Sequence, residues 1–434
     1  MDYTSKIITA SEAVKLVKSG DMIVTGLGCA EGRDFLSQLH TVAENVNGVT
    51  VTNCLPMSDQ QFMTDPYKNS FHVDGWFYSP AMRKAHKNGN VSFIPNHLHL
   101  AGVKRLSHVH TNIYVGSASM PDKHGYVSLS LSNTYEQRVI AEADLVILEI
   151  NPNFPYTYGD VELHLDDVDY VIESNYLPPV VPEGDFTEKD AAIGKFIADY
   201  IKDGDCIQLG IGGIPNAVAA SLTHKKDLGV HTEMLTTGLM KLAKMGVING
   251  KKKQQQKGKM VCTFAMGTAE LYEFLDHNPA VNFLDGSYVN DPHVIGLNDN
   301  MISINTTLEV DLTGQCASES IGPVQWSGTG GQSDTATGAQ NSKNGKSFIA
   351  LYSTAMVKDP VTGERVEQSK IVPFLKPGAI VSLLRADVDH VVTEYGVAAL
   401  RGTNVFERVE RLIAIAHPKY REELLKQAKD LGII

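Results

Sequence analysis

The sequence predicts an α/β protein made of two related domains in tandem. The first observation is a weak internal repeat, because AVKLVKSGDMIVTGLG at residues 13–28 resembles IADYIKDGDCIQLGIG at residues 197–212. Near-continuous apolar runs of strand length, expected for sheet strands covered on both faces, recur in both halves. Between the halves, the stretch 176–190 contains three prolines, which stiffen the chain and interrupt regular structure. We therefore expect an N-terminal domain over residues 1–180 and a C-terminal domain over residues 187–434.

Each copy of the repeat predicts the same order of elements. Apolar residues at helical spacing, such as Ala13, Leu16 and Val17, indicate an amphipathic helix. Gly20 and Gly204 then suit the left-handed conformation that ends a helix. A β-rich strand and a Gly-x-Gly turn follow in both copies, and this order is typical of an α/β unit.

The remaining apolar runs predict the other strands. In the first half they cover residues 48–54, 112–119 and 143–150. In the second half they cover residues 261–267, 302–311, 347–354, 379–384 and 389–396. The last segment, residues 417–432, predicts a surface helix that closes the fold.

Composition excludes several classes of protein. The chain has 434 residues and a formal net charge of -12 without a long basic run, so generic binding to nucleic acid is disfavoured. We interpret the single lysine cluster, KKK at 251–253, as a solvated surface turn. No stretch approaches 18 uninterrupted apolar residues, so we expect no membrane span.

The cysteines and the N-terminus indicate a compartment. The five cysteines are scattered, odd in number and without a CxxC pair, which argues against a disulfide framework and a zinc site. A reducing environment fits such cysteines best. The start, MDYTSKIITASEAV, lacks the basic residues and apolar core of a signal peptide. We predict a cytoplasmic protein.

Three glycine-rich stretches are candidate ligand contacts. GLGCAEG at 26–32 and GIGGIPNAV at 210–218 each follow a predicted strand, where exposed backbone amides either bind an anion or only form a tight turn. Neither matches G-x-G-x-x-G, which disfavours a dinucleotide site. SGTGGQSDTATGA at 327–339 predicts a long loop of small residues that a ligand could approach closely, with a flexible solvent loop as the alternative.

Side chains that could carry chemistry are few. The chain has no G-x-S-x-G or H-E-x-x-H motif. His97 and His99 in NHLHL lack a third ligand, so we predict no metal site. Four carboxylates stand in apolar runs, where each must be paired or functional because a buried unpaired charge is costly. They are Glu149, Glu233, Glu309 and Glu394.

Five motifs in order resemble the acetyl-CoA hydrolase/transferase family. They are GIGGIPNAV, GVHTEM, SGTGGQSD, IVPFLKPGA and VVTEYGVAALRG, and the likeness extends over essentially the whole chain. Within that family, the sequence looks most like the 4-hydroxybutyrate and butyrate:acetate CoA-transferases. The resemblance implies two α/β domains of the CoA-transferase fold with the active site at their interface.

The resemblance also implies site residues. Glu233, in GVHTEM, matches the family's catalytic glutamate, and Asn290, Gly330 and Gly331 match its oxyanion hole. The positions implied for binding CoA and the acyl group are Gly210, Gly212, Gly213, Ile214, Gly328, Gln332 and Asp334. The substrate pocket is expected around Gly26, Gly28, Glu31 and Met57.

The activity implied is transfer of CoA from a short-chain acyl-CoA to a free carboxylate such as acetate. The donor would be butyryl-, 4-hydroxybutyryl- or acetyl-CoA, and the reaction would be ping-pong through a glutamyl-CoA thioester. The CoA thioester is then a substrate, and no permanently bound cofactor is expected. The family implies a homodimer or larger homo-oligomer. Two alternatives stay open: an acyl-CoA hydrolase of the same family, and a non-catalytic sensor that binds acyl-CoA.

Overall fold

The computed structural model describes residues 3–358 and 362–434, and all elements below belong to these ranges. Ten strands lie before the proline-rich stretch. They are β1 (Met22–Thr25), β2 (Val49–Asn53), β3 (Phe71–Gly75), β4 (Val91–Phe93), β5 (Ile113–Ala118), β6 (Tyr126–Ser128), β7 (Leu145–Ile150), β8 (Tyr158–Gly159), β9 (Glu162–His164) and β10 (Tyr170–Glu173).

The strands of the second half are more numerous and many are short. They are β11 (Cys206–Leu209), β12 (Gly229–His231), β13 (Met234–Leu235), β14 (Met260–Cys262), β15 (Phe264–Ala265), β16 (Val281–Phe283), β17 (Met301–Thr306), β18 (Glu309–Asp311), β19 (Cys316–Ala317), β20 (Ser320–Ile321), β21 (Val324–Gln325), β22 (Lys346–Ala350), β23 (Thr354–Lys358), β24 (Arg365–Ser369), β25 (Ile371–Val372), β26 (His390–Thr393) and β27 (Gly396–Ala399).

The α-helices of the described ranges alternate with these strands. They are α1 (Ala10–Ala13), α2 (Arg33–Gln38), α3 (Pro80–Ala85), α4 (Ala101–His108), α5 (Glu136–Ile140), α6 (Glu188–Ala198), α7 (Gly213–Ser221), α8 (Thr237–Lys244), α9 (Ala269–Leu275), α10 (Gly286–Val289), α11 (Pro292–Gly296), α12 (Gln332–Asn341), α13 (Val405–Ala414) and α14 (Arg421–Asp430). None of them combines the length and apolar character that a membrane span requires.

Two largely parallel sheets share one topology, which confirms the predicted α/β class. Within the described residues, the first sheet has the order β10-β7-β5-β1-β2-β3-β4 and the second has β27-β26-β22-β17-β11-β12-β14-β16-β8. In each sheet, the chain first adds strands on one side of the central strand and then returns to add strands on the other. The central strands are β1 and β11, the two strands of the internal repeat.

The repeat is also visible in the helix starts and stops. Thr9 and Thr187 cap their helices in the same way, each paired with an acidic residue three positions later. Gly20 and Gly204 have φ angles of 82° and 87°, the left-handed conformation that was predicted. The first copy differs in length, because α1 covers only four residues and continues as a 3-10 turn over Val14–Leu16.

The boundary between the halves is crossed by one strand. Strand β8 precedes the proline-rich stretch but pairs with β16 of the second sheet, through Asn282 and Tyr158. Residues 174–187 contain no helix or strand. The exact domain limits, at 180 and 187, stay predictions.

Several local predictions were wrong. Residues 379–384 form no strand, and only Leu383 makes an isolated bridge, to Cys316. The second half of the predicted loop at 327–339 is helical, since α12 begins at Gln332. The KKK turn is not wholly solvated, because the ammonium group of Lys253 is buried and donates to the carbonyl oxygens of Val230 and Lys259, at 2.6 and 2.8 Å. A buried ammonium group needs such hydrogen bonds, because a buried charge without partners is costly.

Candidate active site

A cavity of about 290 Å³ opens in the second sheet, at the point where the order of strand addition reverses. Strands β12 and β17 flank β11. From β12 the chain adds β14 and β16 toward one edge of the sheet, and from β17 it adds β22 and β26 toward the other edge. The cavity is lined by Gln208 and Gly210 at the end of β11, by Glu233 beyond β12, and by Asn305 at the end of β17. Crevices at the carboxyl ends of parallel strands, at such a switch point, are the usual ligand sites of open α/β sheets.

The opposite wall of the cavity comes from the first half of the chain and is apolar. It contains Leu27 in the turn after β1, Leu55 after β2, Phe77 after β3, and Leu98. The site therefore lies between the two halves, as the resemblance implied. Its two walls differ in chemistry, because Gln208 and the other polar lining residues come mainly from the second half.

Glu233 stands at a break in the strand that carries it. The amide of Thr232 makes the last ladder bond of this segment, to the carbonyl of Val261 at 2.9 Å. Beyond it, the carbonyl of Glu233 itself accepts from the amides of Thr263 and Phe264, at 2.9 and 3.2 Å, and β13 then pairs in a separate small sheet. Because the regular strand ends here, the Glu233 side chain faces the cavity and not a neighbouring strand.

Asn290 holds the Glu233 carboxylate from behind. Its Nδ2 donates to Oε2 of Glu233 at 2.7 Å, and Asn290 itself is fully buried. His231 supports this contact, because its Nε2 lies 2.8 Å from the carbonyl oxygen of Val289. Burial and the charge of Lys253 lower the pKa of His231 to about 4, so the imidazole is neutral and donates to that carbonyl. His231 is therefore an anchor for the backbone before Asn290 and not a proton relay.

The glycine loop 328–331 closes over the carboxylate. A Cβ atom on Gly331 would lie 1.8 Å from Oε2 of Glu233 and 2.1 Å from Nδ2 of Asn290. A Cβ atom on Gly328 would lie 2.3 Å from the carbonyl oxygen of Trp76 in the first half. Side chains cannot occupy either position, so glycine lets the loop lie between Glu233 and the apolar wall.

The pKa of Glu233 is raised, as are those of the buried Glu31 and Glu149, but neither of these two residues lines the cavity. Burial raises the pKa of the Glu233 carboxyl to about 7, with hydrogen bonding by Asn290 lowering it, the charge of Asp334 raising it, and the backbone of Gly331 lowering it. A strongly perturbed acid in a cleft is a candidate functional group.

The other three strand carboxylates have partners and do not line the cavity. Glu149 accepts hydrogen bonds from two backbone amides of α2 and from a tyrosine hydroxyl. Glu309 lies 3.5 Å from the ammonium group of Lys370, and Glu394 lies 3.2 Å from that of Lys189. These three carboxylates are therefore paired, whereas the fourth, Glu233, faces the cavity.

The structure brings part of the implied site together. The implied residues that line the cavity are Glu233, Gly210, Gly328, Gly330, Gly331 and Gln332. Asn290 and Asp334 lie behind this surface, where Asn290 contacts Glu233 and Asp334 contacts His99. Gly212 and Gly213 line a neighbouring cavity beside residues 181–185, while Ile214 is buried and lines neither cavity.

The substrate-pocket residues expected in the first half do not line the cavity. Gly26 lies in a tight turn, where a Cβ atom would be 2.3 Å from the carbonyl oxygen of Ala30. Glu31 is buried and accepts a hydrogen bond from Ser58. Gly28 and Met57 are likewise absent from the lining of the cavity. Their neighbours Leu27 and Leu55 line it instead, because the turns after β1 and β2 direct these side chains inward.

Sequence reasoning missed several lining residues. Gln208 and Asn305 stand near the carboxyl ends of β11 and β17. A polar side chain at the end of the predicted strand was a usable signal for Gln208, whereas Asn305 fell inside the predicted run 302–311 and carried no such signal. Phe77 and Leu98 carry no such signal, since apolar residues in loops are common and mostly serve packing.

The N-terminal domain profile of the acetyl-CoA hydrolase/transferase family matches residues 1–182, and its C-terminal domain profile matches residues 267–428. The chain belongs to the acetyl-CoA hydrolase/transferase family. The family resemblance seen in the motifs is thereby confirmed.

Full-length relatives within the family are similar to the chain. A succinyl-CoA:cyclohexane-1-carboxylate CoA transferase of Geobacter metallireducens is 41% identical, over 100% of this chain and 97% of the relative. A 4-hydroxybutyrate coenzyme A transferase of Clostridium kluyveri is 40% identical, over 98% of each. The crystal structure of a 4-hydroxybutyrate CoA-transferase from Porphyromonas gingivalis superposes with a TM-score of 0.82 at 34% identity, covering 99% of this chain and 98% of that chain.

Proposed function

We propose that this protein is a CoA-transferase that moves CoA from a short-chain acyl-CoA to a free carboxylate, with Glu233 as the nucleophile. The observation that carries the proposal is the position of Glu233 at the floor of the cavity between the two halves. Within the described residues it forms no ion pair, and the glycine loop faces it directly. The similarity to named CoA-transferases along the full length supports the same activity.

The chemistry that we propose is covalent catalysis by a carboxylate. An oxygen of Glu233 attacks the thioester carbonyl, the carbon–sulfur bond breaks, and a mixed anhydride and CoA thiolate result. The thiolate attacks the glutamyl carbonyl, which forms the glutamyl-CoA thioester and releases the first acid as a carboxylate. The second acid then enters as a carboxylate, and the same two steps run in reverse.

The surroundings of Glu233 suit this role. An ionised carboxylate needs no general base to become a nucleophile, and a raised pKa makes it more reactive once ionised. The tetrahedral states need donors for a developing oxyanion. We assign this task to the backbone of Gly330 and Gly331 and to the amide of Asn290, which already donates to Glu233. A mixed anhydride hydrolyses in contact with water, and the enclosed site limits that side reaction.

The two walls suggest how the substrate is oriented. We propose that the acyl chain faces the apolar wall formed by Leu27, Leu55, Phe77 and Leu98. The amide groups of the pantetheine arm would then face Gln208 and the other polar groups of the second half. In this arrangement the thioester carbonyl lies over Glu233.

The test of the proposal is CoA transfer with and without an acceptor acid. We expect butyryl-CoA and acetate to give acetyl-CoA in proportion to the enzyme, whereas butyryl-CoA alone gives little free CoA after one turnover. Acetate-independent release of CoA over many turnovers would support the hydrolase alternative. Binding of butyryl-CoA without any transfer or covalent adduct would support the sensor alternative.

Acid selectivity provides a second prediction. No lysine or arginine is among the described residues that line the cavity, so a second carboxylate at the apolar end would lose its hydration without gaining a partner. We expect kcat/KM for butyrate to exceed that for succinate, which has the same chain length, by at least about 100-fold. Succinamate is the matched control, because its terminal amide removes the charge and keeps the length. Equal use of butyrate and succinate would contradict the proposed acyl orientation.

Three further features stay predictions. They are a homodimer or larger homo-oligomer, a cytoplasmic location, and partners limited to acyl-CoA and small carboxylic acids. Sedimentation of the purified protein will test the first.

A further inference from the structure

Asp334 is a second buried carboxylate beside the site. It lies in the first turn of α12, three residues after Gly331, and is only 2% exposed. Its Oδ1 lies 2.8 Å from Nδ1 of His99, and its Oδ2 accepts the backbone amide of His99 at 3.2 Å. His97 lies farther away, 3.8 Å from Oδ1, and its side chain is 45% exposed. Within the described residues, these two histidines are the ion-pair partners of Asp334.

The turn that carries His99 also touches the glycine loop. Leu98 lies between the two histidines, lines the cavity, and donates its amide to the carbonyl oxygen of Gly330 at 3.1 Å. One short 3-10 turn of the first half, Leu98–Leu100, therefore holds both the loop and the start of α12. Through these contacts, His99 is joined to the group of residues that surrounds Glu233.

Asp334 matters to Glu233 because the two charges repel each other. The charge of Asp334 adds to the effect of burial in raising the pKa of Glu233. Two carboxylates in one enclosed site do not both ionise readily unless a cation compensates one of them. His99 is positioned to supply that cation from the other half of the chain.

We propose that His99 is a positioning residue whose ion pair with Asp334 keeps Glu233 available as a carboxylate and holds the glycine loop against it. The inference rests on the proposed function of Glu233. His99 does not touch the reacting atoms, and its effect passes through Asp334. The device couples the two halves, since the imidazole belongs to the first and both carboxylates belong to the second.

The protonation of His99 agrees with this arrangement. Burial lowers its pKa, the hydrogen bond and the charge of Asp334 raise it, and the net direction is upward. Two other charges face the imidazole: Asp291, before α11, raises the pKa, and Lys104 on α4 lowers it. This upward shift extends the pH range of the imidazolium toward the range in which Glu233 loses its proton, near its pKa of about 7.

The test is a double-mutant cycle read as a pH profile. In single-turnover mixing with butyryl-CoA, the rate of CoA–enzyme adduct formation for the wild type should rise with pH through about 7, because only ionised Glu233 attacks. His99→Gln leaves the charge of Asp334 uncompensated, so we expect the acid limb of the pH profile to move up by about one pH unit. The rate at pH 7, which is at the wild-type pKa, should then fall about fivefold. In Asp334→Asn alone, the acid limb should lie at the same pH as in the wild type or at a lower pH.

The double variant separates charge from structure. If the charge of Asp334 is the cause, His99→Gln with Asp334→Asn returns the acid limb to within about 0.3 units of the wild type, since no charge is left to compensate. His110→Gln is the control, because this exposed histidine pairs with Asp144 and not with Asp334, and we expect its profile to match the wild type. Circular dichroism and thermal unfolding of each variant report whether it is folded.

Two outcomes overturn the inference. One is an unchanged acid limb in His99→Gln; the other is a double variant whose loss equals the sum of the single losses without return of the limb. Both require that the wild type forms the adduct. A wild type that forms no adduct on Glu233 instead overturns the proposed function, so the two failures are distinguishable.

Discussion

Replacing Glu233 with glutamine is expected to abolish CoA transfer, with kcat lowered by about 10⁴-fold or more. The amide has nearly the same shape as the carboxylate, and it can keep a hydrogen bond with Asn290, which donates to Oε2 at 2.7 Å. It cannot attack a thioester, because an amide carries no negative charge and its nitrogen lone pair is delocalised into its carbonyl group. Steady-state transfer from butyryl-CoA to acetate measures the loss.

The covalent CoA adduct on Glu233 provides an independent test of the same prediction. Wild-type protein incubated with butyryl-CoA should gain a CoA-sized mass at Glu233, and borohydride should reduce that thioester to an alcohol. Glu233→Gln should show neither change. Glu394→Gln is a suitable control, since this carboxylate pairs with Lys189 and does not line the cavity. Normal transfer by Glu233→Gln would remove the basis of the proposed mechanism.

The second large effect is expected at the glycine loop. A methyl group on Gly331 would stand 1.8 Å from Oε2 of Glu233 and 2.1 Å from Nδ2 of Asn290, far inside van der Waals contact. Either the Glu233 carboxylate turns away from the loop, or the glycine loop moves and takes with it its backbone amides and the start of α12 at Gln332. Loss of one such donor costs about 10²–10³ in kcat, and we expect Gly331→Ala to lose at least that much.

Gly184→Ala controls for the general effect of adding a methyl group. A Cβ atom there meets no other atom within 4 Å, and the residue does not have a positive φ. We expect this variant to keep full activity, while Gly331→Ala keeps the fold but loses transfer. An active Gly331→Ala enzyme would mean that the loop does not lie against Glu233 during catalysis.

Much of the fold could be predicted because it depends on local patterns. The apolar runs at 48–54, 112–119 and 143–150 correspond to β2, β5 and β7. The strand predicted at 379–384 was wrong, because an apolar pattern indicates that side chains are buried and not that the backbone pairs with another strand. Leu383 is indeed buried, yet it makes only one bridge.

The candidate site could be predicted only in part. The motifs pointed to Glu233, Asn290 and the glycine loop, and the structure places these groups in contact. Their catalytic roles stay proposals. Gly26 and Met57 were expected in the pocket, but the nearby Leu27 and Leu55 line the cavity instead. The direction of a side chain in a turn depends on φ and ψ angles that sequence spacing does not specify.

The sequence by itself determined the family and the tandem α/β organisation, and its motifs pointed to Glu233 among four candidate carboxylates. These features are carried by residue order, glycine positions and apolar periodicity, which are local. Only the tertiary structure decided that Leu27 and Leu98 line the cavity and that His99 meets Asp334 across the two halves. Such contacts join residues far apart in the chain, and the packing of the two halves, which no single segment encodes, determines which of them meet.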